Sequence, residues 1–293
     1  PTAVRLRIGR TRHSLHGGDP GLAPRWQSER STPLTVDEGA LLEALGAVQY
    51  AITRDPNRPH FEGAFVRCMI KGDDVFLDVL ATDGVQAARV RRRIDRDPAQ
   101  VPAWAESGHA WLSKDVCSAA LKAFTIGERV RLISSDSQVG LHGDHILLRG
   151  RAVSARRPPV EQLVERRPPG QRITLDRRAL TAALKRAHKG PVQGDGHYWL
   201  EVTPDALYVC AFDPEQGAYE EAVTITAGQP VNIGVDPARL LAALKVHDCD
   251  EIALDIVGDT EPVLICGDDA ADIHLMMPAP NVMARQRAGR AAA

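Results

Sequence analysis

Aromatic side chains make up only 4% of the 293 residues, too few for the rows of stacked bases on which many single-strand binders rely. The five cysteines, Cys68, Cys117, Cys210, Cys249 and Cys266, are widely spaced and form no CxxC pair. That excludes the common redox and zinc-knuckle patterns and fits a reduced, cytoplasmic protein. Ten histidines occur without an HxxxH or HExxH spacing, so no helical face offers two metal ligands together. No metal and no cofactor are expected. No run approaches the ~18 apolar residues of a membrane span. Neither sign of charge is in excess: 36 basic and 38 acidic residues leave a formal charge of -2. The chain as a whole therefore does not draw polyanions, and any contact with nucleic acid must come from local placement of charge. A catalytic pair is not signalled either, since an Asp such as Asp83 in a Thr-Asp-Gly turn ordinarily makes the turn, and nothing in the spacing brings His60 or His274 to it. The chain is expected not to be an enzyme.

What the sequence does have is a repeated helix. AALK occurs in CSAALKAF (Cys117 to Phe124), LTAALKRAH (Leu180 to His188) and LLAALKVH (Leu240 to His247), with a looser copy, ALLEALGAV, at Ala40 to Val48. Apolar residues recur at three and four positions in each: Val36, Ala40, Leu41, Leu45, Val48 and Ile52; Val116, Ala120 and Phe124; Leu180, Leu184 and Ala187; Leu240, Leu241 and Leu244. This is the pattern of a short amphipathic helix. Asp37, Ser113 and Asp176 stand where N-caps belong. Each helix leads into alternating strands separated by Gly-containing turns, so the order helix, strands, helix, strands occurs twice.

An α+β fold follows, with pseudo-repeated domains of two helices packed on antiparallel sheets. The expected divisions are a remnant at 1–33, a domain at 34–155, an extended Pro- and Arg-rich linker at 156–172, a second domain at 173–280 and a disordered tail at 281–293. Such helices would line one side of a wall. Their basic residues are then candidate phosphate contacts: Lys114 and Lys122 on the second helix, Arg177, Arg178, Lys185, Arg186 and Lys189 on the third, Arg239 and Lys245 on the fourth. Arg178, Lys185 and Lys189 share the face opposite Leu180 and Leu184 at 3.6 residues per turn. Without aromatics, phosphate contact lacking sequence readout is the mode these residues permit.

Three stretches resemble one known family. RDPNRPHFEGAFVRCMIKGDDVFLDVLATDGVQAARV (Arg54 to Val90), PVNIGVDPARLLAALKVHDCDEIALDI (Pro230 to Ile256) and IHLMMPAP (Ile273 to Pro280) are similar to the bacterial DNA polymerase III beta subunit, the sliding clamp. The resemblance implies a DNA-clamp fold whose helices line a homo-oligomeric ring around duplex DNA. It implies as partners that duplex, held without sequence specificity, together with the replicative polymerase and the clamp loader, which would dock through short linear motifs. No membrane partner is implied. The matching positions of the motif pocket are Phe61; Thr82 and Gly84, with Val85, Gln86 and Ala87 after them; Pro158 and Leu163 in the linker; and Leu275, Met277 and Pro278. Apolar walls from four segments, with a glycine that admits a backbone, make chemical sense of that set. Three departures stand out. Val85, Gln86 and Ala87 replace the family's His-Arg-Leu. Val160, Glu161 and Gln162 stand where aromatic and basic residues are usual. Of the family's first domain only Val4 to Leu15, with Trp26, has a counterpart. The alternative is therefore a divergent clamp relative that binds motif-bearing partners without encircling DNA, as a decoy or regulator.

Overall fold

The computed structural model describes residues 3–8, 11–16, 32–124, 129–135, 138–153, 155–189, 197–213, 215–267 and 271–279. Trp26 and the 281–293 tail lie outside them. The chain falls into two compact units, Pro1–Ser31 and Thr32–Ala293. In the first, β1 (Ala3–Ile8) and β2 (Thr11–His16) form an antiparallel hairpin running from Ala3↔His16 to Ile8↔Thr11.

The second unit writes one series of elements twice. The first pass is β3 (Leu34–Asp37), α1 (Glu38–Val48), β4 (Gly63–Lys71), β5 (Asp74–Thr82), β6 (Gln86–Ile94), α2 (Ala103–Glu106), β7 (Ala110–Ser113), α3 (Lys114–Ala123), β8 (Arg129–Ser134), β9 (Gln138–His142) and β10 (Leu147–Arg151). After α4 (Val160–Arg166) the second pass runs β11 (Gln171–Asp176), α5 (Arg177–Lys189), β12 (His197–Val202), β13 (Ala206–Asp213), β14 (Gly217–Thr224), β15 (Val231–Gly234), α6 (Pro237–Lys245), β16 (Glu251–Ile256), β17 (Val263–Cys266) and β18 (Ile273–Met276). All four AALK-type segments are helices, α1, α3, α5 and α6. Their apolar faces are buried: Leu41, Leu45 and Val48; Val116 and Ala120; Leu180, Leu184 and Ala187; Leu240 and Leu244. Leu241 is only half-buried.

Caps explain where the helices begin. The Ser113 hydroxyl accepts from Val116 N, and the Asp176 carboxylate accepts from Ala179 N at 2.6 Å. Asp236, followed by Pro237, accepts from Ala238 N and Arg239 N, so side chains satisfy donors that the first turn leaves open. Asp37 precedes α1 but makes no such bond, contrary to its expected capping role.

Among the described residues the second unit has three sheets, each antiparallel. One runs β10-β9-β8-β3 and one β14-β13-β12-β15; the third is continuous over eight strands, β11-β16-β17-β18-β6-β5-β4-β7. It joins the two passes through β18 and β6, with Leu275 opposite Ala87 and Met276 opposite Gln86. One apolar core forms under α1 and α3, a second under α5 and α6, and a third, small cluster sits at the junction: Phe65, Leu80, Ala87, Trp111, Ala155, Val160 and Leu275.

The 156–172 linker departs from the expected extended segment, because α4 folds inside it. Val160 and Val164 join the junction cluster. Arg157 and Glu161 are bonded one turn apart, Nη2 to Oε1 at 2.8 Å. Apolar contact and ion pairing outweigh the local tendency of a proline- and arginine-rich stretch to stay extended.

Candidate interaction surfaces

Helices α1, α3 and α6 surround one groove of about 830 Å³. Lys114 on α3 and Lys245 on α6 line it, together with Arg54 and Arg92, while Glu43 and Asp248 supply negative charge. Gln49 Nε2 donates to the Ser118 hydroxyl at 3.2 Å and ties the end of α1 to α3. Of the other basic candidates, Lys122, Lys185 and Lys189 are exposed on helix faces turned away from the cores. Arg178 is exposed and paired with Asp250 at 3.0 Å. Arg186 donates to Glu221, Nε to Oε2 at 2.8 Å.

Two candidates turn elsewhere. Arg177 spends its Nε on the Cys249 carbonyl at 2.6 Å, bracing α5 against the loop before β16. Arg239 bends from the start of α6 to the Asp83 carboxylate, and its Nε reaches Asp236 at 3.1 Å. In the first case a half-buried carbonyl and in the second a buried carboxylate outcompetes solvent. A cation in the first turn of a helix opposes the helix dipole, and that was the available hint that Arg239 would seek an acid. Arg54 and Arg92 lie outside the repeated helices, so the repeat gave no sign of them.

The pocket positions come from separate elements. In the turn between β5 and β6, Asp83 Oδ1 accepts from Val85 N and Gln86 N, both at 2.8 Å, and the Thr82 hydroxyl donates to Gln86 O at 2.7 Å. Gly84 has φ 88°, a conformation glycine adopts without steric cost. A Cβ there would lie 3.4 Å from the Phe61 ring and 3.1 Å from Arg58 Nη1, which itself donates to Asp83 O at 2.9 Å. Phe61 sits in a short 3-10 turn, Pro59–Phe61, ahead of β4 rather than on the strand. Met277 N donates to Val85 O at 2.8 Å, which places Met277 and Pro278 beside the turn. Leu275 and Ala87 are buried in the junction cluster. Trp111 of that cluster donates its indole N–H to His60 O at 3.3 Å and so connects the Phe61 turn to α4. Pro158 is half-buried just before α4, and Leu163 on α4 is exposed.

Beneath α4 lies a cluster of charge. Asp78, fully buried on β5, accepts from Arg67 Nε at 2.9 Å, Arg91 Nε at 2.9 Å and Arg157 Nη2 at 2.7 Å, with Arg89 Nε 3.6 Å away. Glu161 on α4 adds a second carboxylate toward Arg67 at 3.2 Å and Arg157 at 2.8 Å. Burial pushes the Glu161 carboxyl up, but the hydrogen bonds and charge of Arg157, with the field of Arg67, outweigh it and hold the group down at about 2. A second polar link crosses the junction nearby: Tyr50 OH lies 3.0 Å from His274 Nδ1, whose ring meets His247 edge-on at 4.6 Å. Burial first, then His247 and Arg92, push His274 down to about 3 and keep it neutral. Among the described residues no group of three or more His, Cys, Asp or Glu is placed to hold a metal ion, and no helix is long and apolar enough to cross a membrane.

Helix pairs laid on antiparallel sheets that run on from one repeat into the next define the architecture of a DNA sliding clamp. Residues 168–280 match the family model of the DNA polymerase III beta subunit, C-terminal domain. The beta sliding clamp of Caulobacter vibrioides is 24% identical over 238 residues, 80% of this chain and 62% of the relative. The chain thus spans less than two-thirds of the length of the curated relatives it matches. The fold resembles crystal structures of the Caulobacter crescentus clamp (TM-score 0.82, 20% identity, 95% of this chain and 73% of that one) and of the Thermotoga maritima DNA polymerase III beta subunit (0.82, 19%, 95% and 74%). It equally resembles a Bartonella birtlesii sliding clamp bound to griselimycin (0.82, 18%, 95% and 74%). The chain is therefore similar to the bacterial DNA polymerase III beta subunit, in sequence at its C-terminal domain and in fold over most of the chain.

Proposed function

We propose that this chain is a clamp-type processivity factor, built from domains at 34–155 and 173–280, that holds duplex DNA loosely and tethers a polymerase and other motif-bearing partners without catalysis of its own in the cytoplasm. The observation that carries this reading is the grouping of α1, α3 and α6 around one groove bearing Lys114, Lys245, Arg54 and Arg92. Cations interspersed with Glu43 and Asp248 suit weak phosphate contact, because each neutralised phosphate adds to a salt-dependent, sequence-independent attraction that would arrest sliding if it were strong. The convergence of Phe61, the Thr82–Gln86 turn, α4 and the Leu275–Pro278 segment supports a peptide site on the same unit. Retention of the full chain on nicked circular duplex, lost when the circle is linearised, is the expected result. Equal retention on both forms would refute encirclement. Retention on neither, with griselimycin still bound in a calorimetric titration, would favour the interaction-protein reading, which the inward turn of Arg177 and Arg239 also supports by removing outward charge.

A further inference from the structure

On β5, Val75, Leu77 and Val79 belong to the apolar core under α1, and on β6 so do Val90 and Ile94. Side chains alternate across a strand, so Phe76, Asp78, Arg91 and Arg93 stand on the opposite face of the sheet. The ladder sets Met69 of β4 opposite Phe76, and Phe76 opposite Arg93; in the next row on that face Arg67 is opposite Asp78, and Asp78 opposite Arg91. A groove of about 370 Å³ opens there, lined by Met69 and Phe76, by Lys71, and by Arg91, Arg92 and Arg93. Among the described residues no acid lines it. We propose that this groove binds a carboxylate-bearing peptide segment of a partner protein, with Lys71, Arg91 and Arg93 taking its carboxylates and Met69 and Phe76 an apolar side chain between them.

The groove adjoins a cluster that is short of negative charge. Four guanidiniums, those of Arg67, Arg89, Arg91 and Arg157, face two carboxylates, Asp78 and Glu161. Buried charge without a counter-charge is costly. The deficit is visible in the geometry: the buried Nε atoms of Arg89 and Arg157 have no hydrogen-bond acceptor among the described residues. Burial first, then the charge of Arg91, push Arg89 below the ordinary arginine value against the pull of Asp78 and Glu161. Arg91 belongs to both places, since its Nε donates to Asp78 at 2.9 Å and the residue lines the groove. A further carboxylate seated in the groove therefore reduces the excess that Asp78 and Glu161 leave.

The lining also selects the occupant. The planar fork of a guanidinium fits carboxylate and phosphate alike, so the apolar part of the groove decides. Met69 and Phe76 form its floor, with Arg67 Nη2 3.7 Å from Met69 Sδ. An inorganic anion leaves that floor bare, and one ring is no platform for successive stacked bases. A peptide supplies an apolar side chain beside its acids. Of the four cations, Arg92 is held by Glu43 and Asp272, which leaves three for a ligand. Lys71 is exposed. Arg93, 73% exposed, pairs with Asp74 at 2.6 Å, and an exposed pair is weak enough to be shared with a second carboxylate. The inference uses neither the groove between α1, α3 and α6 nor the Phe61 turn, and it is measured without DNA.

The experiment titrates the full 293-residue chain at low salt into two rhodamine-labelled peptides, Glu-Leu-Glu-Glu and its neutral counterpart Gln-Leu-Gln-Gln, followed by fluorescence anisotropy. The acidic peptide is expected to bind about tenfold more tightly or better, and K71E/R93Q to lose that advantage. K71Q alone changes one exposed residue and leaves every ion pair of the arginine cluster in place; it is expected to weaken the acidic peptide about threefold, and it carries the test if the double variant does not melt like wild type. Inorganic phosphate and oligothymidylate are expected to displace the acidic peptide no better than sodium chloride of the same ionic strength. Equal binding of the two peptides, binding of neither, affinity untouched by the variants, or preferential displacement by phosphate or oligothymidylate would each overturn the proposal. None of these results bears on encirclement, which the nicked circle decides separately.

Discussion

Replacing Asp78 by asparagine keeps the shape of the side chain and removes one charge from a site closed to water. In the native arrangement Arg67, Arg91 and Arg157 each donate to that carboxylate within 2.9 Å, and Arg89 stands at 3.6 Å. After the change, Arg67, Arg157 and Arg89 still have Glu161 at 3.2, 2.8 and 3.9 Å, while Arg91 loses the carboxylate to which its Nε donates. Removing one partner of a buried ion pair costs about 3–5 kcal/mol, because the remaining charge stays desolvated and uncompensated. Arg67 is 27% exposed and can recover some hydration, which argues for the lower end, about 3 kcal/mol. That is a large part of the roughly 5–15 kcal/mol by which a typical domain is stable. A urea titration followed by circular dichroism reads it as a lower midpoint. The control is Glu43→Gln. Arg92 lies closer to Glu43, 2.6 Å, than any arginine lies to Asp78, but Glu43 is 60% exposed and Arg92 keeps Asp272 at 2.9 Å. Its loss should cost less than about 1 kcal/mol. If Asp78→Asn costs no more than Glu43→Gln, burial does not govern these pairs and the reasoning fails.

Two further changes test the region around α4 and the turn. The Glu161 carboxyl is held at about 2 against an ordinary 4.5; with the folded value depressed, its contribution is full above pH 4.5 and is lost as pH falls toward 2, so Glu161→Gln should flatten the fall in stability over that window, as acid titrations of wild type and variant in parallel would reveal. Gly84→Ala forces a side chain into a positive φ at 88°, a cost of about 1–2 kcal/mol, and crowds Phe61; it should lower the urea midpoint, and a midpoint equal to wild type would refute the strain assigned to this turn.

The helices were legible because an amphipathic helix is a local property: spacing alone placed Leu180, Leu184 and Ala187 on one buried face, and cap residues marked where α3 and α5 begin. The alternating strands and their duplication were legible for the same reason. Asp78 gave less away. A carboxylate amid the apolar run VFLDVLA, with RVRRR on the next strand, was a visible signal, but which arginines it gathers depends on segments up to 79 residues apart. The helix in the linker was missed for that reason, since α4 is held by contacts with β4 and β5 and not by its own composition. Arg239 shows the limit most clearly. Its place on a basic helix was readable, but its acceptor is Asp83, 156 positions away.

By itself the sequence determined the local matters: which segments coil, which alternate, where turns fall, and that the same series is written twice. It did so through periodicity, caps and glycine, each acting within a few residues. Only the tertiary structure decided which cations remain outward and which spend their charge on a neighbour. Those outcomes depend on desolvation and on acceptors brought together from distant parts of the chain, and no local pattern encodes either.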